Sequence, residues 1–136
     1  MPIVILCQGQ QTRLRGRIAT RKQLLEVAGE PILARTIRLC REIAPGFDII
    51  TIGWPDFPPE YRVLTIPDPG HCILDGIRWV IKCTYPCAPY TIVFLLGDVV
   101  FSRAALAKIL SNRIFPAFGL TKDLGRGAGE IFSFST

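Results

Sequence analysis

The chain alternates between short uninterrupted apolar runs and stretches in which apolar residues recur every three or four positions, and this alternation marks out its elements. Ile3 to Cys7 has no polar interruption, which suits a strand covered on both faces and therefore a parallel central sheet. From Pro31 the segment PILARTIRLCREIA places Leu33, Ile37, Cys40 and Ala44 on one helical stripe, with Ile32, Thr36, Leu39 and Ile43 beside it. Pro31 suits the first turn of that helix, and Pro45-Gly46 ends it. Phe47 to Ile52 reads as a second strand ended by Gly53, and Arg62 to Ile66 as a third. The connections WPDFPP and PDPG around that third strand are proline-punctuated loops within a domain.

Farther on, Cys72 to Lys82 repeats Ile73, Ile77, Val80 and Ile81 at helical spacing. Thr91 to Leu96 is the strongest strand signal, followed directly by Gly97-Asp98. Ser102 is a good N-cap for a helix reaching about Ser111. Ile114 to Phe118 and Glu130 to Phe134 read as two further short strands. The order strand, helix, strand, strand, helix, strand, helix predicts an α/β protein, a three-layer, doubly wound, mostly parallel sheet over a single domain, 1–136. Such sheets bind ligands at the carboxyl ends of their strands, where both the loop after Cys7 and Asp98 fall.

Composition agrees with one folded domain: 49% of residues are hydrophobic, 20% are charged, and mean hydropathy is +0.35. The apolar runs are strand-sized, far below the ~20 residues that span a bilayer, so no membrane partner is expected. Nothing at the start has the pattern of a secretory signal, and the expected location is cytoplasmic. Five cysteines, an odd number in apolar or amphipathic settings, suit reduced thiols. Cys83 and Cys87, with His71 and Cys72 upstream, fit no common zinc-finger spacing, and Pro86 stands between them.

Net charge is +5, which favours anionic partners. Much of it lies in one loop: after Gly9 come Arg13, Arg15, Arg17, Arg21 and Lys22, with almost no acid. Backbone N–H groups near Gly9 and the Thr12 hydroxyl can face an anion, with Arg13 and Lys22 adding charge-assisted contacts, as in a phosphate cradle. GQQTRLRG lacks the middle glycine of the dinucleotide fingerprint, and no GxxxxGK[ST] occurs. A solvated basic loop is the simpler alternative. Asp98 alters that comparison, because Mg²⁺ takes one or two carboxylates together with substrate phosphates and waters.

The segment VILCQGQQTRLRGRIATRKQLLEVAGEPIL resembles the N-terminal signature of nucleotidyltransferases with the GT-A-like fold, the sugar-1-phosphate nucleotidyltransferases and their molybdopterin- and polyol-phosphate-acting relatives. Gly9, Thr12, Arg13, Lys22, Gln23, Leu24, Leu25, Gly29, Pro31 and Ile32 fall on that pattern in order. Gly70 to Gly76 resembles the family's nucleoside-meeting segment, and LLGDVVF its metal-binding Asp motif. The resemblance implies a Mg²⁺-dependent nucleotidyltransferase that moves an NMP from an NTP to a small phosphorylated acceptor and releases pyrophosphate. It implies catalytic roles for Arg13, Lys22 and Asp98, with Asp98 as metal ligand. Gly9, Thr12, Arg13, Gly70, Cys72 and Asp75 are the implied nucleotide contacts; at a helix start, Asp75 also suits a dipole partner.

The sequence departs from the pattern in three ways. Gln11 stands where the second loop glycine usually sits, and Arg21 replaces a Pro before Lys22. The sequence ends at Thr136, short of the family's second metal-binding Asp and its acceptor-binding portion. A non-catalytic nucleotide- or sugar-phosphate-binding relative is therefore the second reading. A nucleic-acid binder using Trp54, Phe57 and Tyr61 is the third, disfavoured because these aromatics share their segment with prolines and acids. Base, acceptor and homo-oligomerisation are left open by the sequence.

Overall fold

The computed structural model describes residues 2–8, 21–53, 59–61, 63–67, 72–84, 91–111, 117–120 and 130–135. Four parallel strands form the heart of the sheet: β1 (Ile3–Leu6), β4 (Ile49–Ile52), β5 (Leu64–Ile66) and β6 (Thr91–Leu96). A small antiparallel pair, β2 (Glu26–Val27) and β3 (Glu30–Pro31), stands apart from it, joined by a tight turn in which Ala28 and Gly29 both have positive φ. Two strands, β7 (Ala117–Leu120) and β8 (Glu130–Ser135), extend the sheet antiparallel beyond β6, giving the order β5-β4-β1-β6-β8-β7.

The uninterrupted apolar run at β1 is explained by its position. Ile3, Val4 and Ile5 are wholly buried, because β4 and β6 flank the strand and helices cover both faces. Ile3, Ile5, Val93 and Leu95 pack with Leu33, Ile37 and Cys40 of α1 (Ile32–Ile43) and Leu106 and Leu110 of α3 (Arg103–Ser111). Val4, Leu6, Ile92 and Phe94 point the other way, onto Ile77 and Val80 of α2 (Ile73–Thr84). Alternate residues of one strand thus serve two cores, and the molecule is a three-layer α/β fold as the sequence predicts.

Local chemistry sets the element ends. Pro31 precedes the first turn of α1 instead of lying in it; its extended ψ of 138° and pairing in β3 leave Ile32 as the first helical residue. The second strand starts at Ile49, two residues later than the apolar pattern suggests, because the Phe47 N–H bonds the Ala44 carbonyl in the turn after α1. Ser102 caps α3 as expected, its Oγ accepting from the Ala105 N–H at 3.1 Å. On the surface Arg38 bonds Glu30 of β3 and Glu42 one turn on, and Glu42 also pairs with Arg103 of α3. These bonds from Arg38 hold the Glu30 carboxyl below its usual range, yet exposed pairs add little stability.

Two buried thiols make the fold sensitive to alkali. Burial pushes both Cys7 and Cys40 up to about 12, with the Asp98 charge adding to the effect at Cys7. The folded chain therefore keeps protons that the unfolded chain releases near pH ~8.5. Stability is full below that value and is lost as pH rises toward the folded values. Thermal melts between neutral and strongly alkaline pH should show this decline, and Cys7→Ala/Cys40→Ala should flatten it. An unchanged slope in the double variant would assign the alkaline loss to other groups.

Candidate active site

The site begins where β1 ends. Hydrogen bonding continues past the strand on both sides: the Cys7 N–H reaches the Ile52 carbonyl at 2.8 Å, and the Gly97 N–H reaches the Leu6 carbonyl at 2.9 Å. Chain connections leave β1 toward β4 on one side and enter β6 on the other, so the ends of β1 and β6 form the switch point of the sheet. Asp98 follows the last bonded residue beside β6 and projects from this edge.

Lys22 arrives at the same place from the loop after β1. It opens a 3-10 turn, Lys22–Leu24, in which the Leu24 and Leu25 N–H groups bond the Arg21 and Lys22 carbonyls. Gln23 anchors that turn: it is 3% exposed, and its Nε2 donates to the Cys7 carbonyl at 3.3 Å. With Gln23 directed inward, Lys22 lies over the strand ends, where its Nζ meets Asp98 Oδ2 at 2.7 Å. Gln23 Oε1 is buried and has no hydrogen-bond partner among the described residues.

Gly97 makes the close approach possible. A Cβ there would lie 2.7 Å from Cys7 Sγ and 3.1 Å from the Leu6 carbonyl oxygen. Cys7 is buried, and its raised pKa keeps it a neutral thiol, so it fills space beside Asp98 without acting as a nucleophile. Lys22 and Asp98 are each about one-third exposed, open enough for a ligand to reach and too open for the pair to serve mainly as a structural bond.

The other flank of β1 faces the start of α2. Asp75 Oδ2 accepts from the Cys72 N–H at 3.3 Å and lies 3.3 Å from Cys72 Sγ, so its carboxylate is engaged at its own helix start. Cys72 is exposed, and its carbonyl accepts from Gln8 Nε2 at 3.1 Å. Gly9, Thr12, Arg13 and Gly70 lie outside the described residues. The structure thus brings Lys22 and Asp98 together and sets Cys72 and Asp75 at the α2 end of the same sheet edge. Sequence reasoning missed Gln8; Gly53 and Gly76, placed at an element end and a helix start, were its only trace.

The MobA-like NTP transferase domain model matches residues 3–120, and the chain belongs to that family. No curated protein matches it significantly. Among solved structures it is similar to a hypothetical transferase from Thermus thermophilus, with 19% identity and a TM-score of 0.62, covering 88% of this chain and 49% of that one. It is also similar to a putative glucose-1-phosphate thymidylyltransferase from Bacillus anthracis in complex with a sucrose, with 16% identity and a TM-score of 0.66, covering 99% of this chain and 71% of that one. The chain therefore spans about half the length of the first of these structures. Among the described residues no helix is long and apolar enough to cross a membrane.

Proposed function

We propose that this domain transfers an NMP from an NTP to a small phosphorylated acceptor of the sugar-1-phosphate kind, releasing pyrophosphate, with Mg²⁺ as the metal. The supporting observation is the meeting of Lys22 and Asp98 at the β1/β6 switch point, 76 residues apart in sequence and 2.7 Å apart in space. In the reaction an acceptor phosphate oxygen bonds to the α-phosphorus while the bond from that phosphorus to the oxygen bridging the β-phosphate breaks. Such chemistry depends on alignment and charge neutralisation, with little covalent work by the protein.

Asp98 fits a magnesium ion that comes with its nucleotide. It offers an accessible carboxylate, while no group of three or more His, Cys, Asp or Glu able to hold a metal occurs among the described residues. Mg²⁺ commonly makes do with one or two carboxylates beside substrate phosphates and waters. Bound there, it would offset the triphosphate's negative charge. Lys22, whose Nζ pairs with Asp98 in this structure, is assigned to the α-phosphate and the acceptor phosphate. Arg13 is assigned to the leaving β,γ-phosphates, and Gly9 and Thr12 to the phosphate-facing loop.

Pyrophosphate release from each NTP, with Mg²⁺ and a panel of sugar-1-phosphates and other small phosphates, tests the reading. Acceptor-dependent release with one preferred base is expected. NTP binding without release under every combination would leave a binding-only relative. Steeply salt-dependent oligonucleotide affinity without NTP binding would indicate a nucleic-acid binder instead.

A further inference from the structure

Gln8 follows the strand that carries the phosphate-facing loop, yet it is turned away from Lys22 and Asp98, toward α2. It is 8% exposed and wedged between two glycines. A Cβ on Gly53, just past β4, would lie 2.6 Å from Gln8 Cγ, and one on Gly76, in the first turn of α2, would lie 2.1 Å from Gln8 Oε1. For Gly76 all three nearest atoms belong to the Gln8 side-chain amide. That amide also donates to the carbonyl of Cys72, the residue before α2.

We propose that Gln8 is a positioning residue for nucleotide binding: it locks the first turn of α2 to the end of β1 and so fixes the wall that the nucleoside end of an NTP meets. This rests on the NTP-binding reading above. Three segments that meet at the carboxyl edge, the ends of β1 and β4 and the start of α2, are held by one side chain. Its two functions separate chemically. The packed stem fills the space left by the glycines, and the N–H orients the Cys72 carbonyl and with it the backbone of Cys72 to Gly76. An apolar side chain of similar length would keep the first function and lose the second. Lys22 and Asp98 touch neither Gly76 nor Cys72 in the described hydrogen bonds, so loosening this wall should weaken nucleotide binding without slowing the bond-making step.

Gln8→Met, which retains the stem without the donor, is expected to raise the KM for the preferred NTP roughly three- to tenfold, the equivalent of one hydrogen bond, with kcat nearly unchanged. Gln8→Ala should give the same split more strongly. Melting temperatures of Gly76→Ala supply a readout independent of turnover. The substitution should lower the melting temperature of the native chain, because its Cβ meets the Gln8 amide, and raise it in Gln8→Ala, where alanine's higher helix propensity is left unopposed. Stabilisation by Gly76→Ala in both backgrounds would show that Gln8 does not sit against α2 and overturn the inference. So would an unchanged KM in both Gln8 variants, or a kcat loss equal to the KM rise. Absence of NTP binding by the unsubstituted chain would overturn the NTP reading and this inference together.

Discussion

Asp98→Asn is expected to cut NTP-dependent pyrophosphate release by at least ~100-fold, the scale of losing one placed electrostatic contact in a reacting site. Asparagine keeps the shape of the side chain and one hydrogen-bonding oxygen but removes the charge that Lys22 faces at 2.7 Å. A large stability effect is not expected, since both partners are about one-third exposed and such pairs contribute on the order of 0–1 kcal/mol. Lys22→Ala should lose turnover to a similar degree and weaken NTP binding as well. Steady-state pyrophosphate release, NTP titration and a thermal melt on the same preparations separate these effects. Retained turnover in Asp98→Asn with an unchanged melt would remove Asp98 from the chemistry.

Gly97→Ala should strain the fold directly beside Lys22 and Asp98. Its new Cβ would stand 2.7 Å from Cys7 Sγ, 3.1 Å from the Leu6 carbonyl and 3.3 Å from Gln23 Cγ. The thiol can move somewhat, but the carbonyl belongs to β1 and accepts the Gly97 N–H, so the backbone has little freedom. Overpacking of this kind costs about 1–3 kcal/mol, or on the order of 4–10 °C in melting temperature for a chain of this size. Turnover should fall too, because Asp98 is the next residue. Cys7→Ala in the same chain should restore part of the melting temperature and not all of it, since the Leu6 contact persists. Full restoration would show that the thiol alone sets the limit.

The sequence made the central layer legible because burial on both faces leaves a plain mark: Ile3 to Cys7 has no polar position, and the structure places helices on both sides of it. The helices were equally readable from Leu33, Ile37 and Cys40 and from Ile77 and Val80, which do face the core. Strand edges were less so. Phe47 and Asp48 look strand-like in pattern, but a turn hydrogen bond after α1 holds Phe47. Strand order and the antiparallel addition of β8 and β7 depend on pairing between distant segments, which no local pattern encodes.

The same distinction holds for the site. Asp98 was marked by its place after a strong strand, and β1 and β6 do run as parallel neighbours, the condition for its carboxylate to share an edge with the basic loop. Gln8 carried no such mark. A glutamine at the start of a basic, polar stretch reads as polar surface until the packing against Gly53 and Gly76 is known.

The register of β1 also constrains when the site can exist during synthesis. Ile3 pairs with Ile49 on one side and Val93 on the other, so the first strand made is completed by one of the later ones. Until β6 has left the ribosome, β1 presents an open apolar edge, a template for wrong partners. The Lys22–Asp98 contact closes a loop of 76 residues and forms only when that edge is sealed. A chain interrupted before β6 would hold the basic loop and its helix without a carboxylate opposite Lys22, and would be prone to aggregate before it could bind anything.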